Sequence, residues 1–263
     1  MMNKFVYTLS ARGKRANQPI EKYLKTYFPS IPLQKIDSVF GFVEASSLYS
    51  GRPYMGRQIS DKDYAFLKKN NIGVRIPFTN HFVTEKEYQK NRKILDKYHT
   101  KGNSIIVTND DLARWIKRDY PLYQVEASLL KEVKTVEEIN HALSLYDTVV
   151  LPMNLNSNHE LLKSIEQKNR ITLFGNGGCA LSCPNRICYE YISKRNKVLT
   201  ATNILFRVFY FWYYFVLYQK WCIIKIKPRK LHGLKDFNLD VFAEMGFTRF
   251  KMLREHAARK SGY

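Results

Sequence analysis

The stretch that decides the fold runs over residues 102–150, GNSIIVTNDDLARWIKRDYPLYQVEASLLKEVKTVEEINHALSLYDTVV. A β-branched run, SIIVT at 104–108, gives way to a helical stretch at 112–119. A second run follows, YQVEAS at 123–128, then a helical stretch opened by Thr135 and Glu138, then a third run from 148. Thr135 and Glu138 stand three residues apart, where hydroxyl and carboxylate satisfy each other's backbone donors in a capping box. Strand and helix in unbroken alternation require right-handed crossovers and a mainly parallel sheet.

The alternation extends in both directions. Eight segments read as strands: 38–45 (SVFGFVEA), 73–78 (GVRIPF), 104–108, 123–128, 148–153 (TVVLPM), 171–175 (ITLFG), 223–227 (IIKIK) and 248–253 (TRFKML). Between them 60–70, 158–167 and 234–244 read as helices, Thr84 with Glu87 opens another through a second capping box, and Gly102 and Gly246 stand where helices end. Eight such repeats predict a closed (β/α)8 TIM-like barrel rather than an open doubly wound sheet, and no Gly-rich phosphate fingerprint follows the first strand. On this reading 1–34 is a basic lead-in and 35–263 a single barrel domain. The stretch 189–221 is longer than a crossover needs and reads as an insertion or extended helix between the sixth and seventh strands.

The 263 residues are 45% hydrophobic, enough to bury a sizeable core and too apolar for a disordered chain. Lys and Arg number 43 against 23 Asp and Glu, a formal charge of +20 that favours RNA or another polyanion as partner, with a merely solvated basic surface as the alternative. Four cysteines are too few for a disulfide-stapled scaffold and point to reduced thiols and a cytoplasmic location. No apolar segment followed by a small-residue cleavage site marks a signal peptide. The longest apolar run, 208–218, spans only about 16 Å as a helix and is too short for a transmembrane segment, which leaves a buried helix, a partner-binding segment or peripheral membrane contact.

In a barrel of this kind chemistry sits on the loops after the strands. Polar residues expected there include Glu44, Asn80, Asn109, Glu126, Asn154 and Asn176. Asparagine is also the ordinary residue of turns and caps, so only the recurrence at equivalent positions points to a ligand, and to a site that orients a polar small-molecule substrate. Glu44 and Glu126 are the candidate catalytic groups: buried, either gains a raised pKa and accepts a proton; exposed, either is a surface carboxylate. Arg52 and Arg57, in SGRPYMGR at 50–57, place two guanidinium groups near the first strand's exit, where they would grip a carboxylate or phosphate, or else form an exposed turn.

The densest signal is FGNGGCALSCPNRICY at 174–189, where Cys179, Cys183 and Cys188 occur as C-x3-C-x4-C, with Arg186 among them as a further substrate-binding candidate. Thiolates are soft ligands for an iron–sulfur cluster or zinc, and glycines let backbone N–H groups approach cluster sulfides. Cys222 is the candidate fourth ligand, although the strand assignment puts it at the opposite rim. Free cysteines packing as small hydrophobes are the plainer alternative. No nucleophile–base pair, zinc-binding helix or P-loop stands out in the sequence.

Several segments together resemble the collagenase-like peptidase family, peptidases of unassigned catalytic mechanism: SGRPYMGR, IPFTN, GNSIIVTND, YPLYQVEAS, NGGCALSCPNR, KPRKL and MGFTRFKMLRE, in that order over about residues 35–255. The resemblance implies a cytoplasmic TIM-like barrel. Similar proteins assist hydroxylation of ribosomal RNA, transfer RNA or ubiquinone precursors, several with a cysteine-bound cluster of the 4Fe–4S kind, and this implies Cys179 and Cys183 as ligands. The chain departs from the pattern at Cys188, at KPRK where an RPED-like segment is usual, and in the aromatic run before Cys222. The expectation is an iron–sulfur-dependent protein serving modification of RNA or of a small aromatic substrate. A peptidase of the same family and a non-catalytic binding protein on a degenerate barrel are the alternatives.

Overall fold

The computed structural model describes residues 5–178, 181, 187–200, 203–220 and 234–255. Eight parallel strands close into a ring: β1 (Val6–Ser10), β2 (Ile36–Phe40), β3 (Gly73–Phe78), β4 (Ser104–Val107), β5 (Gln124–Ala127), β6 (Thr148–Val150), β7 (Ile171–Phe174) and β10 (Arg249–Met252). Between the last two lies a small antiparallel pair outside the ring, β8 (Asn176–Gly177) with β9 (Lys235–Asp236). β10 pairs with β7 on one side and with β1 on the other, Tyr7 opposite Phe250.

The ring is the expected barrel, with one strand exchanged. β1 lies inside the stretch read as a lead-in. Phe5 and Tyr7 pack with Phe250 at ring-centroid distances of 5.2 and 6.5 Å, while Thr8, the next residue and so on the opposite face, hydrogen-bonds Ser38 at 3.1 Å. That period-2 pattern is a strand's, and the basic residues Arg12, Lys14 and Arg15 belong to the loop that follows it. The expected strand at 223–227 lies outside the described residues, and the ring closes without it because β10 adjoins β7 directly. β2 ends at Phe40, so its expected continuation to 45 is loop. The stretch 189–221 contains not one extended helix but the end of Ile187–Lys197 and the whole of Ile204–Tyr218, with a short 3-10 turn at Val198–Thr200 between them.

Both expected capping boxes form, Thr84 with Glu87 and Thr135 with Glu138, and Ser60 with Asp63 adds a third. The helices lay their apolar faces on alternate strand residues such as Val74, Ile76, Ile105 and Val125, all fully buried in one core. No helix among the described residues is long and apolar enough to cross a membrane.

Candidate functional site

The interior of the barrel is charged. Arg75 on β3 pairs with Glu126 on β5, donates to Asp37 at 2.7 Å and to Ser38 at 2.6 Å, while Lys251 on β10 lies 3.4 Å from the other Glu126 oxygen. Thr148 donates to Glu126 at 3.3 Å, and Arg249 stands 3.8 Å from Asp37. Burial alone would raise the Glu126 carboxyl; the Arg75 and Lys251 cations outweigh it and hold it below the usual carboxylate range. Burial, reinforced by repulsion from Arg75, pushes the Lys251 ammonium down. Above these charges, at the strand C-terminal ends, Phe40 and Phe174 set their rings 4.4 and 5.9 Å from the Lys251 nitrogen. Val150, Met153 and Phe174 form a further apolar layer.

Glu126 is therefore not the raised-pKa proton acceptor expected at the rim. It is fully buried inside the barrel, and its neighbours favour the ionised form. Glu44 is half-buried and bonded to Lys97 at 2.7 Å and Arg57 at 3.3 Å, with Asp61 completing a surface ion network. Neither carboxylate is set out as a general base.

The asparagines divide by task. Asn80 donates to the carbonyls of Ser47 and Ser193 at 2.8 and 3.0 Å and accepts from the Phe82 amide at 2.9 Å, so it fastens its own loop to the loop after β2 and to the helix Ile187–Lys197. Asn109 caps the helix Asp110–Asp119 by accepting from Leu112 at 2.9 Å. Asn176 accepts from the Leu253 amide at 2.8 Å and donates to the Arg254 carbonyl, which ties the start of the cysteine loop to the end of β10. Asn154 is exposed on a 3-10 turn. These are structural ties, caps and a surface residue rather than a shared polar lining.

What the loops do build is a basic cleft of about 670 Å³ at the C-terminal mouth. Its cations come from four places: Arg12, Lys14 and Arg15 after β1, Arg52 and Arg57 after β2, Arg195 on the helix Ile187–Lys197, and Arg254 after β10. No carboxylate lines it among the described residues. Arg52 donates to Gln58 at 2.5 Å and lies 4.6 Å above the Phe42 ring. Arg254 donates to the carbonyls of Ser10 and Leu253 at 3.2 and 2.8 Å and stacks over Tyr27 at 4.5 Å. Lys14 is neutralised by Asp63 at 2.7 Å, and Arg57 by Asp61 at 2.8 Å. Gly13 turns the first loop at φ +82°, and a Cβ there would sit 3.0 Å from the Arg254 guanidinium.

The pairing of Arg52 and Arg57 is legible in the sequence; their companions Arg195 and Arg254 are not. Arg195 sits on a helix 138 residues beyond Arg57, with its guanidinium 4.1 Å over Phe211. Arg12 and Arg254 stand near opposite ends of the chain, and the ladder between β1 and β10 brings both to the same mouth.

The fold has a counterpart among solved structures. It is similar to that of a U32 peptidase. The likeness to the structure described as the U32 peptidase Mk0906 has a TM-score of 0.60 and covers 95% of this chain and 93% of that one, at 13% identity. No protein-family model and no curated protein sequence matches the chain. The likeness agrees with the family resemblance read from the motifs, and at this identity it is a likeness of fold.

Of the expected metal ligands only Cys188 is described: a buried cysteine in the first turn of the helix Ile187–Lys197. Cys179, Cys183 and Cys222, with Arg186, lie outside the described residues. Among the described residues no three His, Cys, Asp or Glu side chains gather as a metal site. A pairing that the sequence did not announce is His81 with Ser193, 3.2 Å apart, Ser193 in turn donating to Ser50 at 2.7 Å. Burial pushes the His81 imidazole below its ordinary value, and Ser193 is fully buried.

Proposed function

We propose that the protein binds RNA at the basic mouth of the barrel and serves its modification. The observation that supports this reading is the convergence of cations from four chain segments around a cleft lined by no carboxylate among the described residues. A single phosphate needs far less room than about 670 Å³, whereas a nucleotide with its flanking phosphates suits it. A guanidinium held by its own hydrogen bond, as that of the half-buried Arg52 is, donates to a phosphate with little ordering cost, while the fully buried Arg195 and Arg254 lend their charge to the cleft wall. Lys14 and Arg57, already ion-paired, fix the walls.

The proposal keeps an iron–sulfur cluster as cofactor, with zinc the alternative. The donor set in the sequence is chemically apt, since Cys179, Cys183, Cys188 and Cys222 all offer soft thiolates. Bound there, a cluster would supply electron transfer for an oxygen-insertion step. The residues of the cleft would meanwhile hold the RNA backbone and exclude competing cations from the phosphates.

The test is binding of a single-stranded RNA oligonucleotide, followed by fluorescence anisotropy at 50 and 200 mM salt. The expected result is tight binding at low salt that weakens steeply as salt rises, because each neutralised phosphate releases counterions. Affinity no better than that for a free mononucleotide would replace RNA by a small anionic substrate. Iron and sulfide analysis of anaerobically isolated protein, repeated on Cys179→Ala/Cys183→Ala, checks the cofactor.

A second reading, proteolysis, is favoured by the likeness to a U32 peptidase. The Ser193 and His81 pair is its one geometric support, and full burial of Ser193 denies it substrate. Casein cleavage abolished by Ser193→Ala would reverse that ranking.

A further inference from the structure

The helix Ile204–Tyr218, ILFRVFYFWYYFVLY, is covered by the protein on one side only. Phe211 and Phe215 face inward and take the Arg195 guanidinium at 4.1 and 5.6 Å. The opposite side carries Leu205, Phe209, Trp212 and Val216, which are 78, 65, 59 and 58% exposed. Their spacing of three or four residues lines them along a single face. An outward aromatic and aliphatic stripe of this extent is far from what a solvated helix presents, and marks a docking surface.

Charge identifies the occupant. From residue 191 to 235 the sequence holds ten Lys and Arg and no Asp or Glu, with Arg207 in the helix and Lys220 just beyond it, both exposed. A second copy of the chain would bring one cationic surface onto another against a formal +20 on each. A lipid surface with anionic headgroups accepts both components, apolar side chains below the headgroups and cations among them. Trp212 and Tyr213 carry the amphipathic rings that settle at that boundary. Fifteen residues of helix extend about 22 Å, too short to cross the roughly 30 Å hydrocarbon layer but sufficient to lie within its surface.

We propose that the outward face of the helix Ile204–Tyr218 docks the protein onto anionic membrane surfaces, lying in the plane of the interface with Leu205, Phe209, Trp212 and Val216 inserted. The inner face of the same helix lines the basic cleft through Phe215, so docking places the barrel mouth close to the lipid headgroups.

The test uses the full chain with sucrose-loaded vesicles of phosphatidylcholine alone or with one third phosphatidylglycerol. Co-sedimentation with the anionic vesicles is expected, persisting in part at 0.5 M salt, together with quenching of Trp212 by brominated acyl chains in a Trp115→Phe/Trp221→Phe background. The variant Phe209→Ser/Val216→Ser is expected to lose at least tenfold in vesicle affinity. Its circular dichroism and its RNA binding should stay unchanged, which separates this inference from the function proposed above. Equal vesicle binding by the variant, or binding with no bromolipid quenching, would reduce the effect to general charge attraction and overturn the proposal. So would a wild-type dimer dispersed by the variant without any vesicle binding, which would assign the face to a second copy.

Discussion

Two sets of charges occupy this barrel, and they are built on opposite plans. Inside the ring, Arg75, Arg249 and Lys251 meet Glu126 and Asp37 at close range under the rings of Phe40 and Phe174. At the mouth, Arg12, Arg52, Arg195 and Arg254 line a cleft that holds no carboxylate among the described residues, three of them braced over aromatic rings. A buried cluster with its own counter-charges spends its electrostatics on fixing strand against strand. A cleft with such walls offers its positive potential to something that arrives from outside. The same residue types thus brace the fold in one place and, on the function proposed above, meet a ligand in the other, and the arrangement of carboxylates tells them apart.

The comparison breaks first at Glu126. Glu126→Gln leaves Arg75 and Lys251 without their shared carboxylate, and loss of one partner from a buried ion cluster costs about 3–5 kcal/mol. Urea unfolding monitored by circular dichroism should report that loss, while RNA affinity of the folded fraction stays near wild type. An equal loss of binding would mean that the interior is part of the site. Acid gives a gentler version of the same test. The Glu126 and Asp37 carboxyls are both held below their ordinary values, so their contribution is complete above the unfolded carboxyl pKa and is lost as pH falls through the folded values. Unfolding free energy should therefore decline below about pH 4, and the decline should be shallower in Glu126→Gln.

The mouth answers differently. Arg12→Gln/Arg52→Gln should weaken single-stranded RNA about tenfold, near 1.4 kcal/mol, and flatten the salt dependence by roughly 0.7 for each phosphate no longer neutralised. Thermal stability should move little, because neither side chain anchors the ring. The smallest effect belongs to a region with no part in either charge set: Thr135→Ala removes a capping box and should cost about 1 kcal/mol in the melt, with RNA binding untouched.

Much of the barrel is readable from the chain because its devices are local. Capping boxes at Thr84 and Thr135, and β-branched runs such as SIIVT, announce themselves within a few residues. β1 escapes such a reading because its alternation is only five residues long and is followed at once by Arg12, Lys14 and Arg15, so charge outweighs pattern. The site is harder. That Arg52 and Arg57 stand together follows from SGRPYMGR alone, but Arg195 and Arg254 reach the cleft only through the ring's closure. Glu126 illustrates the reverse failure: its place near a strand end is legible, whereas the inward pleat that gives it to Arg75 and Lys251 is set by register.

That register has a consequence for how the polypeptide emerges from the ribosome. β10 is the keystone between β7 and β1, and it also delivers Lys251 to the Glu126 carboxylate on β5, a strand made much earlier. Until residues 249–252 have been synthesised and released, seven strands stand as an arc with two unpaired borders, each an invitation to another chain. Nascent molecules of this protein must wait in that half-circle, dependent on whatever shields open β-edges in the cell, and become self-sufficient only when the final arch stone drops in.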